Sequence, residues 1–473
     1  MAFPFRRDAP IIGAGKPKSR YLGCYRDPVT NERGPEIWLP GHELVVICGG
    51  PRMGKDTGII IPNALMREGV TDVFMDTRLE APAITAPYRR TLGPVYMGNP
   101  CNELVDIPGY EDLRSDRANL LKGPELDPDN PLCFDHLCEL VETLFPHEGD
   151  RNPFFPLSSQ SLYAGLTKGE LIKAKREKRD PSLTLVRKQA TEADEFDPKT
   201  GALTKGLRAR IRRLIEEEND EQINSLLGGF AGEHSDGIRD VIATTAAHTR
   251  LFLSNVIVDD EKNPRIDFTK LGQVPPSTVY FGVSQKLAKA FAAYQRLFIA
   301  AVLRPLFTPH KVPVCIWANE FYTMGRVPAL ESSLGLLAGG KTELVIIVQS
   351  LIQLKETFGD YWEAFFSNAA ATILVGGCRD DFSSNYFSAH TGELTMRQPS
   401  AGLNFNPGGG IGSTTGDAYG RRPALMPQDL RNIPPGQGWI WVAGLNDPIP
   451  AMFPPYHADP VLSRRARVNP HYG

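Results

Sequence analysis

An apolar run, Leu44–Cys48, passes without a break into Gly49-Gly50-Pro51-Arg52-Met53-Gly54-Lys55-Asp56-Thr57. Glycine, four intervening residues and then Gly54-Lys55 is the spacing of a Walker A phosphate loop. Small residues let successive backbone N–H groups wrap a polyphosphate, and Lys55 is spaced to reach its β- and γ-phosphates. The helix expected after the loop aims the positive end of its dipole at the same anion. The stretch from Gly49 to Thr57 is therefore the candidate nucleotide-binding segment. One position departs from the pattern. The residue after the lysine is normally Ser or Thr, whose hydroxyl ligates magnesium, and here it is Asp56. A carboxylate beside a polyphosphate is repulsive unless a cation lies between them.

A strand that feeds a phosphate loop needs companions. Apolar runs recur beside turn residues at Val73–Met75, Val95–Met97, Thr278–Val283, Val314–Trp317, Leu344–Val348, Ile373–Val375 and Trp439–Val442. Short continuous runs of this kind suit strands buried on both faces of a parallel sheet. Helical stretches lie between several of them, so the expected fold class is α/β, with a doubly wound, mostly parallel sheet. From about Cys133 to Arg250 such runs are scarce. Charged helical segments replace them, Leu166–Arg179 and Leu203–Asn219 among them. The expected organisation is a nucleotide-binding domain over 1–130 and 260–473, with an all-helical domain inserted at 131–259. The charges of that insert suit a solvated helix face, and a surface for a substrate or partner is the sharper reading. Pro399–Arg422, with Gly408, Gly409 and Gly410 at its centre, has the composition of a flexible loop.

The strand Val314–Trp317 runs into Ala318-Asn319-Glu320. A Walker B strand ends in an acidic pair, whose Asp holds magnesium and whose Glu polarises the attacking water. Glu320 occupies the second place, while Asn319 puts a neutral amide in the first. The usual hydroxyl plus carboxylate has become carboxylate plus amide, which leaves the acidic charge offered to the metal unchanged. Asp56 and Asn319 are therefore the candidate magnesium ligands, with Asp56 supplying the charge that Asn319 lacks. A decayed site that binds nucleotide without turnover is the rival reading. Gln349-Ser350 follows Leu344–Val348, where a polar strand end is suited to sensing a γ-phosphate.

Composition limits the partners. The formal net charge is −3, so contact with nucleic acid requires a local basic patch rather than a basic protein. Candidates are Lys173, Lys175, Arg176 and Lys178, or the tail residues Arg464, Arg465 and Arg467, and solvated faces are the plainer reading of both. Seven cysteines form no repeated framework, which fits reduced thiols in a cytoplasm. Cys133, His136 and Cys138 lack an evident fourth metal ligand. No stretch approaches the ~18 apolar residues of a membrane span. The expectation is a cytoplasmic protein that reaches the inner membrane only through a partner.

The order of these motifs resembles the type IV coupling proteins, the TraG/TraD-type ATPases of conjugation and type IV secretion. Ile59-Ile60-Ile61-Pro62-Asn63 after the loop is similar to that family. So is Asp76-Thr77-Arg78-Leu79-Glu80, where the family usually reads Asp-Pro-Lys-Gly-Glu. Asn319-Glu320-Phe321, the Gln349-Ser350 pair, Asn385–Leu394, Arg422-Pro423-Ala424-Leu425 and Leu430–Gly438 follow the same pattern. The resemblance implies a ring, usually a hexamer, of RecA-like P-loop domains that uses ATP and Mg2+. It also implies an all-helical domain receiving cargo, either a relaxase on single-stranded DNA or an effector protein. Lys55, Glu320 and Gln349 take catalytic places. A basic residue from a neighbouring subunit completes such motors. Between Val327 and Val348 the only basic residue is Lys341, and Arg379 is the alternative. Family members usually carry N-terminal membrane helices, so a separate anchoring subunit of the secretion system is the implied partner. A nucleotide-binding cargo receptor of weak activity and a DNA translocase outside secretion are the two other functions open to the sequence.

Overall fold

The computed structural model describes residues 17–41, 43–146, 153–232, 237–334, 341–405 and 411–471. The strands in chain order are β1 (Arg20–Arg26), β2 (Arg33–Leu39), β3 (Leu44–Cys48), β4 (Thr71–Met75), β5 (Val95–Gly98), β6 (Glu195–Phe196), β7 (Leu203–Lys205) and β8 (Thr278–Phe281). After them come β9 (Val314–Ala318), β10 (Thr342–Val348), β11 (Ala369–Val375), β12 (Glu393–Phe405), β13 (Ile411–Pro423), β14 (Gln437–Val442) and β15 (Ile449–Met452). The chain divides into two compact units. The first comprises Met1–Pro40, Leu44–Arg67 and Ile346–Arg464; the second comprises Gly41–Glu43, Glu68–Val345 and Arg465–Gly473.

In the first unit the strands run in the order β2-β1-β15-β14-β11-β3. β11 and β3 pair in parallel. The β11–β14, β14–β15, β15–β1 and β1–β2 pairs are antiparallel. Every residue of β3 is buried, as its unbroken apolar sequence requires. The antiparallel flank was not legible in the same way. β1, β2 and β15 carry Gly, Pro and Arg among their apolar residues, and Gly34-Pro35 in β2 is tolerated at a sheet edge. Asn63 ties the helix after the phosphate loop to β1. Its side chain accepts from Tyr21 N and donates to Tyr21 O and Ile59 O, each at 2.8 Å, so a fully buried amide meets both backbone groups of one strand residue. The described parts of the segment expected as a flexible loop are instead strands. β12 and β13 pair antiparallel from Glu393↔Pro423 to Phe405↔Ile411. Gly408, Gly409 and Gly410, at the centre of that expectation, lie outside the described residues; serine, threonine and glycine composition could not report the cross-strand register of the segments that flank them.

In the second unit β9, β4, β8 and β5 lie side by side, all parallel. Phe74 on β4 stacks on Tyr280 of β8 and Trp317 of β9, with ring centroids 5.2 and 5.7 Å away. Two residues earlier in β4, on the same face, lies Asp72. The helix Glu80–Leu92 covers this face and meets its polar groups one turn apart. Thr85 hydrogen-bonds the Tyr280 hydroxyl at 2.5 Å, and Arg89 pairs with Asp72 at 2.9 Å while donating to Thr278 Oγ1 at 2.8 Å.

That helix contains Pro87, which lacks the N–H that would bond the Ala83 carbonyl. The chain's last segment fills the gap. Arg467 Nε donates to Ala83 O at 2.7 Å and Arg467 N to Ile84 O at 2.8 Å. Its guanidinium also lies 4.2 Å from the Tyr110 ring centroid and 2.8 Å from Asp112. Arg465 sits over Tyr88. These tail arginines are thus engaged in packing the second unit rather than clustered as a basic patch. Arg467→Ala is expected to destabilise this unit by about 1–3 kcal/mol, since a buried carbonyl loses its only replacement donor. An unchanged urea midpoint would contradict the role given to Arg467.

From Cys133 to Asp260 the second unit is largely helical. The stretch Leu203–Asn219, read as one helix, breaks at Gly206. β7 precedes it, paired with β6, and the helix Leu207–Glu218 follows. Gly206 has φ +100°, and a Cβ there would meet Asp194 Cα at 2.4 Å. The helix Phe154–Glu177 carries Lys173, Lys175 and Arg176, which pair with Glu177, with Asp127 and Asp129, and with Glu218. Among the described residues no helix is long and apolar enough to cross a membrane. All seven cysteines are free.

Candidate nucleotide site

β3 delivers the chain to Gly49, whose N–H donates to Val348 O at the end of β10, 3.1 Å away. A Cβ on Gly49 would stand 2.5 Å from the Val375 carbonyl oxygen of β11, so only glycine permits this approach. Gly54 has φ +100°, a conformation that favours glycine for a different reason. Lys55 is buried. Its ammonium donates to the carbonyls of Gly49 and Gly50, at 2.5 and 2.9 Å. It therefore spans the loop it belongs to, with its charge held beside the loop's first two residues. Asp56 opens the helical turn Asp56–Ile60, which continues as the helix Ile61–Met66.

A cleft of about 250 Å³ lies against this loop, lined in part by Gly49, Gly50, Pro51, Gln349, Arg379 and Asp380. Gln349 reaches it from the end of β10, as the strand-end reading required. Arg379 is exposed, and among the described residues it forms no ion pair. Asp380 caps the helix Asp381–Ala389 by accepting from Ser383 N at 2.7 Å. The Ser383 hydroxyl in turn accepts from Leu351 N at 3.0 Å, which fixes the turn after Gln349-Ser350. Cys48 and Cys378 also line the cleft. Burial pushes both thiols up, Cys378 to about 12 with the Asp380 carboxylate adding to it. They stay protonated at neutral pH and are not nucleophiles. Beside the Asp380 carboxylate, which Ser383 N engages, the cleft offers backbone amides, an amide side chain and an arginine, donors suited to an anion.

The second unit holds the other motif. β4 leads directly into Asp76, whose N–H donates to Phe281 O at 2.8 Å. The Asp76 carboxylate accepts from Arg78 N and Ala81 N, at 3.0 and 2.8 Å, which starts the helix Glu80–Leu92. Leu79 stands where the family motif has glycine. It adopts φ +52°, a strain of roughly 1–2 kcal/mol for a non-glycine residue, offset by its burial. Thr77 stands where the motif has proline, and its hydroxyl donates to Glu320 Oε2 at 3.1 Å. Glu320 itself has φ +52°, and such strained residues concentrate at functional sites. Its carbonyl accepts from Thr323 N and Oγ1, each at 2.9 Å. Asn319 Oδ1 accepts from Glu320 N at 3.1 Å, so the amide that replaces the usual Asp also fixes the turn presenting Glu320.

Gly49, Gly50, Pro51, Gln349 and Arg379 are thus brought to one cleft, with Lys55 bonded to the first two. Lys341 is not among them. It precedes β10 with φ +65°, while Gln349 follows the strand. Sequence reasoning missed Asp380, Ser383 and Thr77. The first two carry a readable signal, an Asp three residues before Ser at a helix start. The Thr77–Glu320 bond spans 243 residues, and no local pattern announces it.

Strand, glycine loop, following helix and strand-end glutamine define a P-loop protein of the RecA-like α/β class. The particular family follows from comparison. The profile for type IV secretory system conjugative DNA transfer matches residues 14–469, and the chain belongs to that family, the coupling proteins of conjugation and type IV secretion. It is 22% identical over 514 residues to the conjugal transfer protein TraG of Escherichia coli, covering 98% of this chain and 75% of TraG. In fold it is similar to the bacterial conjugative coupling protein TrwBdeltaN70 in its unbound monoclinic form. The TM-score is 0.63 at 15% identity, over 87% of this chain and 84% of that one. The plasmid coupling protein TrwB in complex with ADP and Mg2+ matches with a TM-score of 0.58 at 16% identity, over 94% and 97% of the two chains.

Proposed function

We propose that this chain is the coupling ATPase of its secretion system, recruiting a relaxase on single-stranded DNA or a protein effector and using ATP with Mg2+ to deliver it to the channel. The observation that carries the proposal is the cleft where Gly49, Gly50 and Pro51 meet Gln349 and Arg379. The segment from Gly49 to Thr57 holds the phosphates, and Lys55 exchanges its bonds to the Gly49 and Gly50 carbonyls for β- and γ-phosphate oxygens. Gln349 reads the γ-phosphate, and Glu320 orients the attacking water and accepts its proton. Magnesium, when bound, neutralises charge developing on the phosphates. Asp56 and Asn319 are its proposed ligands. Lys341 is proposed as the basic residue lent to a neighbouring subunit of a hexameric ring. The helical segment 131–259 is proposed to receive cargo, and a membrane-anchoring subunit of the secretion system to hold the ring at the inner membrane.

The shared-charge reading of Asp56 and Asn319 has its own test. Asp56→Ser is expected to weaken magnesium-dependent ATP binding about tenfold, and Asn319→Asp in the same chain to restore it. A double variant no better than Asp56→Ser would sink that reading. The Asn319 Oδ1 bond to Glu320 N favours a second function, a nucleotide-binding receptor of weak activity, because it gives Asn319 a structural role without a metal. Titration of single-stranded DNA against salt separates the two. For a DNA-handling motor, log affinity falls linearly with log salt concentration. Capture of a protein effector without DNA affinity supports the receptor.

A further inference from the structure

A second cavity in the first unit, about 400 Å³, takes no part in the nucleotide chemistry. Its walls come from three places. Phe366, Ser367 and Glu363 lie on or beside the helix Trp362–Ser367, Tyr386 and His390 at the helix Asp381–Ala389, and Trp441 on β14. The aromatic rings pack on one another, Phe366 with Tyr386 at 5.4 Å and Tyr386 with His390 at 4.4 Å between centroids. The frame is therefore built before any ligand arrives.

The polar inventory says what would enter. Three of the donors lining this cavity are already committed within the chain. Trp441 Nε1 donates to His390 O at 2.8 Å, Ser367 Oγ to Ala364 O at 3.2 Å, and His390 Nδ1 lies 2.7 Å from Tyr386 O. A nitrogen so placed against a carbonyl carries a proton and donates it. Glu363 is exposed and, among the described residues, makes no ion pair. Burial and the Glu363 carboxylate push the Tyr386 phenol up to about 12, so the acid and the ring share one local field. Apart from His390, no basic residue lines the cavity among the described residues. Aromatic faces beside an uncompensated carboxylate attract a cation that can lie flat against a ring.

We propose that this cavity is a docking site for an arginine side chain of a partner protein, held by Glu363 and stacked on Trp441, with the Tyr386 ring as its packed wall. Arginine is favoured over lysine because a planar guanidinium serves both the ring faces and the carboxylate. A neighbouring copy of this chain is the competing occupant.

The test is titration of the full chain with the blocked tripeptide acetyl-Gly-Arg-Gly-amide, followed by tryptophan fluorescence and calorimetry, with the citrulline analogue as the isosteric neutral probe. Saturable binding of the arginine peptide, at least about tenfold weaker for citrulline and for Glu363→Gln, is expected from the loss of one charge-assisted bond. Tyr386→Phe, which keeps the ring, retains most of the affinity. Equal binding of the two peptides, or binding indifferent to Glu363→Gln, would overturn the proposal. So would a Glu363→Gln variant whose only change is in self-association, which would assign the cavity to a second copy. The site lies outside the nucleotide chemistry, so ATP turnover unaltered by Glu363→Gln separates its failure from failure of the motor reading.

Discussion

Lys55→Ala is expected to turn over ATP at least about 100-fold more slowly than the parent chain, the scale of losing a preorganised charge at a transferring phosphate. The structure gives the reason. The Lys55 ammonium is the buried cation inside the loop, held at the carbonyls of Gly49 and Gly50, and alanine leaves those carbonyls and the incoming phosphates without it. The loop's shape survives, because Gly49 is fixed by Val348 O and by the closeness of Val375. The variant therefore keeps the parent's fold, at a stability cost of about 1–3 kcal/mol for the two buried carbonyls left without their donor, while losing turnover. A turnover within threefold of the parent would mean that the loop does not hold the phosphates. Steady-state release of phosphate with the variant and parent side by side makes the comparison.

The largest expected loss of stability is at Asp72. Asp72→Ala leaves the Arg89 guanidinium buried without its carboxylate, and breaking a buried pair of this kind costs about 3–5 kcal/mol. Both side chains are almost fully buried, at 1% and 3% exposure. Asp72 also accepts from Trp317 Nε1 at 3.1 Å, so one substitution unties β4 from β9 and from the helix Glu80–Leu92. Asp72→Asn keeps an acceptor for the indole and loses less. Urea unfolding followed by tryptophan fluorescence reads the difference, and a shift below about 1 kcal/mol would show that Arg89 finds water or another acceptor. The consequence reaches function, since this helix begins in the Asp76–Glu80 turn and Thr77 of that turn holds Glu320.

The parallel strands were legible because burial on both faces leaves little room for polar residues. β3 and β9 are apolar throughout and buried throughout, and their ends carry Gly49 and Asn319-Glu320. The antiparallel flank of β1, β2 and β15 was not, since β1 pairs with β15 from far along the chain and the strands carry Gly34, Pro35 and Pro450. The ribbon of β12 and β13 hid behind a composition shared by loops and two-stranded ribbons. At the site, the phosphate loop and Gln349 were readable because each sits at a strand end with a local signature. The arrangement of Thr77, Glu320 and Asn319 was not, as it joins β4 and β9 through side chains whose partners no spacing rule specifies. Ala83 and Arg467 show the same limit, where Pro87 predicts a freed carbonyl but not the tail residue that answers it.

The central claim is that an altered phosphate loop still drives a motor. Its most direct test is ATP turnover by the full chain with Mg2+, measured with and without single-stranded DNA. Turnover that rises with DNA and disappears in Lys55→Ala is the predicted result. Tight binding of ATP and Mg2+ with no turnover under either condition would contradict it, and would make the chain a receptor that uses nucleotide without hydrolysing it.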